Sequence, residues 1–466
     1  MVGKMPLRIV FSLVLILFVA FPDAEAVEPL APENSKETDE PEIVPPDFIR
    51  LKEPMPDLIL KDKREGNYWL GFPAIGYNPD TELTVGASVR WFRNGAKDGP
   101  FFNYTPYLES YRAVVTYSTG GAGKLLFEYE ALNFHESPWR IRGTVDFSRN
   151  DFAHYFGNGE STLGPLRFPG SPEAFGNLDA YLDALDQVTN KETYARFINY
   201  KEQRSLLDLA IQRDTFGGLL RPFVGLQVAY YDIGDYTGEN YEGGVIQPTK
   251  LRTDYEDGRV LGFNGGWDNA LQIGLTWDTR DFEPNPTRGL FLQALGRFSL
   301  KAIGSRYNYA QFKLGGRFYQ PLWFERTGLV LAGRLDYVAQ AGDIPFYAMP
   351  NIPGIDTAAQ GLGGFRTLRG YAQNRFVAKN AAIASTELRW TFGEATLWGQ
   401  HLRFGTAAFV DSGSVFNSIG STKAHGWKAT YGAGFRLAWN VSTIVSFDYG
   451  VSPEGQAFYV ELGTQF

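Results

Sequence analysis

From Tyr68 to the terminal Phe466, runs in which apolar and polar residues alternate with period two recur between breaks rich in Gly, Pro, Asn and Asp. Leu271, Ile273, Leu275 and Trp277 fall on one side of such a run, and Gln272, Gly274, Thr276 and Asp278 on the other. Likewise Tyr431, Ala433, Phe435, Leu437 and Trp439 oppose Gly432, Gly434, Arg436 and Ala438, while Phe458, Val460, Leu462, Thr464 and Phe466 form a single row. This period is that of a strand with one oily and one polar face. Tight breaks fall at Asn78-Pro79-Asp80, Asn94 to Gly99, Asp214 to Gly218, Glu283 to Gly289, Glu325 to Gly328 and Asn440-Val441-Ser442, and long connections near 150–193, 234–266, 342–379 and 412–427. If the first strand rises from the periplasm, all four long connections reach the outer face. The pattern predicts an all-β fold, a transmembrane antiparallel β-barrel of about sixteen strands over residues 67–466, because a sheet crosses lipid only when it closes on itself. A one-residue slip would carry Arg436 into lipid at a cost of roughly 2–4 kcal/mol, so the register is well specified. Trp69, Trp91, Trp323, Trp390 and Trp439 fall near strand ends, where aromatic girdles sit.

The N-terminus changes the compartment. Lys4 and Arg8 precede the apolar run Ile9 to Phe21, and Ala24-Glu25-Ala26 supplies small residues at cleavage spacing, so residues 1–26 read as a signal peptide. The run is too short to span a bilayer as a helix. Residues 27–66 are Pro-rich and acidic and predict a mostly disordered periplasmic tail, ending in a short ordered stretch around Phe48 to Leu60. With a net charge of −8 the chain has no broad positive field for nucleic acid, and with no cysteine it has neither a disulfide framework nor an acylated anchor. The expected location is the bacterial outer membrane, with its lipid as the first partner.

Three segments together resemble the BamA/TamA outer-membrane superfamily, also called the bacterial surface-antigen family. The first is Leu275 to Asp281, containing Asp278, Arg280 and Asp281, followed by Asn285-Pro286-Thr287-Arg288-Gly289, similar to that family's strand-turn-strand motif. The second is Gly363-Gly364-Phe365-Arg366-Thr367-Leu368-Arg369-Gly370-Tyr371, which resembles the tip of its long sixth outer loop. The third is Phe409-Val410-Asp411-Ser412-Gly413 with Tyr431 to Arg436 after it, similar to its closing strands. The glycines permit positive φ in a tight excursion, and Arg369 offers a rigid fork of donors. Such a loop can fold into a polar lumen and pin itself to carboxylates. The resemblance implies that the carboxylates are Asp411 and Glu387, with Arg369, Gly370 and Tyr371 forming a structural lock. It also gives Phe458, Val460, Leu462 and Phe466 the look of the terminal signal read by the barrel-assembly machinery. Members that insert or secrete proteins carry periplasmic POTRA modules, and about forty acidic, Pro-rich residues are too few for one. The expectation is a barrel-only branch, with a periplasmic partner as one source of the missing modules.

Enzyme chemistry finds no support. His135, His154, His401 and His425 lack metal-ligand spacing, and no Gly-x-Ser-x-Gly elbow or phosphate loop occurs, so neither a metal nor a cofactor is expected. Asp278, Arg280 and Asp281 read as lumen or turn charges rather than as catalytic carboxylates. His154 to Gly159 resembles a segment of barrel-only relatives and reads as a loop over the lumen. The resemblance implies outer-membrane protein assembly, translocation or surface display, acting at a weak seam between the first and last strands. The alternative is a passive, porin-like channel, for which sixteen strands leave room. A surface antigen relying on the loops 150–193 and 234–266 is a third reading.

Overall fold

The computed structural model describes residues 44–323, 328–355, 359–397, 400–418, 426–439 and 443–466. The expected signal peptide, residues 27–43 of the expected tail, His425 and the turns at 325–327 and 440–442 lie outside the described residues.

Sixteen strands form the wall: β1 Asn67–Asn78, β2 Glu82–Arg93, β3 Glu109–Ser118, β4 Ala122–Ala131, β5 Trp139–His154, β6 Asn199–Arg213, β7 Leu220–Gly234 and β8 Ala270–Asp278 in the first half, with the two-residue Gly266–Trp267 extending the β8 edge. The second half comprises β9 Gly289–Ser299, β10 Tyr309–Pro321, β11 Leu329–Gly342, β12 Asn380–Leu397, β13 Gln400–Phe416, β14 Lys428–Trp439, β15 Thr443–Ser452 and β16 Gly455–Leu462. Each strand pairs antiparallel with its neighbours in sequence, and β16 returns to β1, closing the cylinder. Away from the β1–β16 seam, closure leaves few backbone groups facing hydrocarbon, which is why this sequence can reside in a bilayer.

The alternation sorts the side chains. On β8, Leu271, Ile273 and Leu275 are about half exposed to the outside, whereas Thr276 and Asp278 are buried in the interior. Tyr431 and Phe435 face outward on β14 in the same way, with Arg436 turned in. The interior wall carries charged ladders: Arg112 pairs with Glu128 at 3.1 Å, and Lys124 and Arg204 converge on Asp146 at 3.1 and 3.0 Å. Opposite charges on facing strands thus pair across the wall, and the buried carboxylate of Asp146 is matched by two cations.

Connections at the two ends differ. At the outer end, segments 155–198, 235–269 and 343–379 pack on one another through Tyr155, Leu251, Phe346 and Tyr347, and on Tyr231 of β7. Two short helices lie there, α2 Leu178–Leu185 and α3 Lys250–Glu256, each started by a side-chain cap from Asn177 or Thr249. Tyr155 of the His154 to Gly159 segment donates to Asp254 of α3 at 2.9 Å, and His154 lies 3.2 Å from Asp80.

At the opposite end, residues 44–66 cross the mouth. A single 3₁₀ turn, Asp47–Ile49, precedes α1, Asp57–Asp62. Ile49 is buried with Phe101 and Leu108, and Met55 and Ile59 with Phe282. Lys63 donates to the carbonyls of Phe102 and Thr105 at 2.5 and 2.6 Å, and burial pushes its ammonium down to about 7.

The final row departs from simple alternation. Phe458, Val460 and Leu462 lie on β16, but the strand ends there, Gly463 takes φ +103°, and the chain turns into the lumen. Phe466 packs against Tyr319, Val330 and Ala332 inside the barrel, so it does not continue the outward row. The turn is cheap because glycine tolerates positive φ, and the lumen offers Gln465 and Phe466 partners that lipid would not.

Candidate functional site

The loop between β11 and β12, residues 343–379, descends into the lumen and ends on a charged knot. Its stem is apolar: Leu362, Leu368, Tyr371 and Phe376 pack on Ile383 and Val415 of the wall, with Tyr371 set edge-on to Phe376 at 5.0 Å. Thr367 ties the bend by accepting from the Gly363 amide at 2.9 Å. At the tip Gly370 has φ +105° and lies against the backbone of Gly450 and Val451 on β15, where a Cβ would come within 3.0 Å of Val451. Only a residue without a side chain fits both demands.

This seating brings Arg369, wholly buried, onto three carboxylates. Its Nε and Nη2 donate to the two oxygens of Asp411 at 2.8 and 2.9 Å, and its Nη1 donates to Glu387 at 2.7 Å and Asp448 at 2.8 Å. Nη2 also donates to Gln465 Oε1 at 3.1 Å, and the guanidinium lies 3.3 Å from the centroid of Phe409. Glu387 receives a further bond from Arg389 at 2.8 Å, Asp448 pairs with Arg436, and the Tyr459 hydroxyl accepts from the Gly370 amide at 3.0 Å. Burying a cation among carboxylates is favourable only when its donors are used, and Nε, Nη1 and Nη2 of Arg369 all find acceptors.

Arg369, Gly370, Glu387 and Asp411 are thus brought together, with Tyr371 as packing beside them. Asp448, Gln465, Tyr459 and Phe409 complete the knot without having been singled out. Asp448 carried a signal of its own, as an isolated carboxylate among the apolar residues of Ile444 to Tyr449, on a strand adjoining Arg436. Two more contacts bind the C-terminal residues to the loop: Arg366 donates to the Thr464 carbonyl at 2.8 Å and Gln465 to the Thr367 carbonyl at 3.0 Å.

The strand-turn motif forms a second, separate cluster at the opposite mouth. Asp278 accepts from Arg280 twice at 2.8 Å and from Arg221 at 2.6 Å. Asp281 holds the turn by accepting from the amides of Phe282 and Thr287 at 2.9 Å and from the Thr287 hydroxyl at 2.5 Å. Pro286 faces the lumen cavity, and Gly289, at φ +108°, lets β9 start hard against the Thr279 carbonyl. Glu283, not singled out from sequence, bonds Lys52, Arg140 and Arg221 at 3.1, 3.1 and 3.3 Å. Burial alone would raise its carboxyl, but those three cations hold it well below the usual range.

The closing seam is sparse. Tyr77 of β1 and Val460 of β16 are the one registered pair across it among the described residues, whereas β1 pairs with β2 along its whole length. Phe458 stands beside Tyr77, their rings 6.3 Å apart. Between the loop and the mouth lies a cavity of about 770 Å³ lined by Arg90, Glu130, Arg142, Asp208, Arg297 and Pro286, among others. No cluster of three or more metal-ligating side chains occurs among the described residues.

A closed antiparallel cylinder with an oily belt, a charged interior and one outer loop fixed inside it is an outer-membrane β-barrel of the kind that holds its lumen loop by a buried arginine. Residues 109–466 match the Omp85 superfamily domain, and the chain belongs to the Omp85 superfamily. Residues 46–108 match a domain of unknown function, DUF5982. Among solved structures the chain is similar to BamA from Haemophilus ducreyi lacking POTRA domains 1–3, with a TM-score of 0.50 at 15% identity over 86% of this chain and 70% of that one. It is also similar to CdiB from Escherichia coli, with a TM-score of 0.49 at 10% identity over 85% of this chain and 63% of that one. At these identities the likeness is one of fold. No curated protein matches the chain.

Proposed function

We propose that this barrel helps polypeptides enter or cross the outer membrane, in assembly, translocation or surface display, and that its seam is where it acts. The observation that carries the reading is that, among the described residues, Tyr77 with Val460 is the single registered pair between β1 and β16. Unpaired backbone in hydrocarbon costs several kcal/mol per group, so the remainder of that β1 edge favours a partner strand. The buried Arg369 knot supports a structural role for the loop: it fixes the strands beside the seam while the seam itself stays weak. A lumen occupied by residues 343–379 and crossed at one mouth by residues 44–66 argues against a passive channel.

The test is a tether. A Tyr77→Cys/Val460→Cys pair, in a chain with no other cysteine, should close the seam when oxidised. Depleting the native protein should alter the outer-membrane or surface proteome, the reduced variant should restore it, and the oxidised variant should not. Full restoration by the oxidised variant would sink the proposal. Affinity purification from native membranes should also recover a periplasmic partner that supplies the modules this chain is expected to lack.

A further inference from the structure

The N-terminal segment 44–65 lies across the barrel mouth without joining the sheet. Its attachments go to separate elements. Ile49 sits between Phe101 and Gly218, the Leu51 amide donates to Gly217 at 3.0 Å, and the Met55 amide donates to Asn103 at 2.7 Å. Lys52 reaches Glu283 at 3.1 Å, and Asp62 accepts from Arg403 at 3.0 Å at the start of β13. The segment therefore touches the β2–β3, β6–β7 and β8–β9 connections and the foot of β13 together. Its seat is largely the 94–108 connection, whose Pro106 and Tyr107 line the cavity of about 770 Å³ from below. Glu283, which Lys52 covers, lines the same cavity.

The way it is held matters as much as where it lies. Among the described residues its contacts are small side-chain clusters, ion pairs, isolated backbone bonds and side-chain-to-backbone bonds such as those of Lys63 to the Phe102 and Thr105 carbonyls, and none is strand pairing. The apolar clusters that hold it contain three buried residues each. Elements with so few buried contacts open locally while the sheet stays intact. At its downstream end Gly66, at φ +72° with open space where a Cβ would be, joins the segment to β1 and offers a pivot. Nearly all of the segment and the 94–108 part of its seat fall in the 46–108 match, while Gly217, Glu283 and Arg403 belong to the stretch that matches the barrel family.

We propose that residues 44–65 are a detachable gate that closes the charged lumen from the periplasmic side and opens by swinging about Gly66 while the barrel remains folded. The wet, guanidinium- and carboxylate-lined chamber above it then becomes accessible to hydrophilic molecules. This proposal does not depend on the seam.

Because the chain has no cysteine, Thr144→Cys, whose side chain lines the cavity, gives a single reporter. Its rate of labelling by a sulfonated thiol reagent is measured on the full chain in nanodiscs, with heat-modifiable electrophoretic mobility confirming a folded barrel. Adding Ile49→Asp and Lys52→Gln should speed labelling about tenfold or more. A Met55→Cys/Asn103→Cys disulfide formed beforehand in that loosened background should return the rate to the original value. Equal rates in the parent and loosened proteins, both folded, would overturn the gate, and so would a tether that leaves the acceleration unchanged. Deleting residues 44–62 gives a second route to the open form, with the same fast labelling expected.

Discussion

Removing the Arg369 side chain should free the lumen loop without dissolving the barrel. In Arg369→Ala, Glu387 keeps Arg389 at 2.8 Å and Arg436 at 3.8 Å, and Asp448 keeps Arg436. Asp411 fares worst, because it loses both side-chain bonds, at 2.8 and 2.9 Å, and has no other cation in the knot. Breaking a buried pair by removing one partner costs about 3–5 kcal/mol, and the lower end applies where water can enter. The lower end also applies to Arg369→Ala, because the backbone amide of Arg369, at 3.3 Å, still donates to Asp411 in the variant. Since about 1.4 kcal/mol is a factor of ten, a loss of about 3 kcal/mol raises the open-loop population on the order of a hundredfold. The strand ladders do not pass through Arg369, so the penalty falls on loop opening. The assay is limited proteolysis of residues 343–379 in folded, heat-modifiable protein, where cleavage through brief opening follows the open population. Asp411→Asn in the Arg369→Ala background should recover part of the protection by removing the orphaned charge. If Arg369→Ala were cleaved within about threefold of the parent rate, the knot would not hold the loop and the reasoning would fail.

Other consequences can be measured directly. Gly450→Leu, whose Cβ would lie 2.7 Å from the Arg369 backbone, should unseat the loop tip and raise loop proteolysis with little change in barrel mobility on gels. Leu275→Arg, on the lipid face, should destabilise the barrel by about 2–4 kcal/mol in denaturant titrations in lipid, and the lumen-facing Thr144→Arg by much less. Lys63 makes docking of the N-terminal segment depend on pH. Its ordinary value of 10.5 in the released state falls to about 7 when docked, so the released state binds more protons between those values and docking tightens as pH rises through that window. Labelling of Thr144→Cys relative to a free thiol should therefore be faster at pH 6 than at pH 9, and the reverse order would contradict the assignment.

The period-two pattern carried the wall of the barrel because lipid and a charged lumen impose opposite demands on neighbouring residues, as Leu271 to Asp278 show. Arg369, Glu387 and Asp411 were legible through motif and polarity. Asp448, Gln465 and Tyr459 were not, since a single polar residue on an inward face marks a wet lumen without naming its partner. Phe466 looked like one more outward residue until Gly463 broke the strand. The ordered part of residues 44–66 was legible only as a stretch around Phe48 to Leu60. Ile49, Met55 and Ile59 form no continuous apolar face, because Ile49 fits a crevice at Phe101 and Leu108 while Met55 and Ile59 share a second one at Phe282, each supplied by distant turns.

Arg369 draws its partners from the final third of the cylinder: Glu387 from β12, Asp411 from β13, Asp448 from β15 and Gln465 just beyond β16, with Arg436 of β14 between them. A slip by one position in β12, β13 or β15 would swing an acid into oil and strand the guanidinium. The tip can therefore dock only after these late hairpins have assembled in correct alignment, so a docked arginine is a built-in certificate that the wall was completed without error.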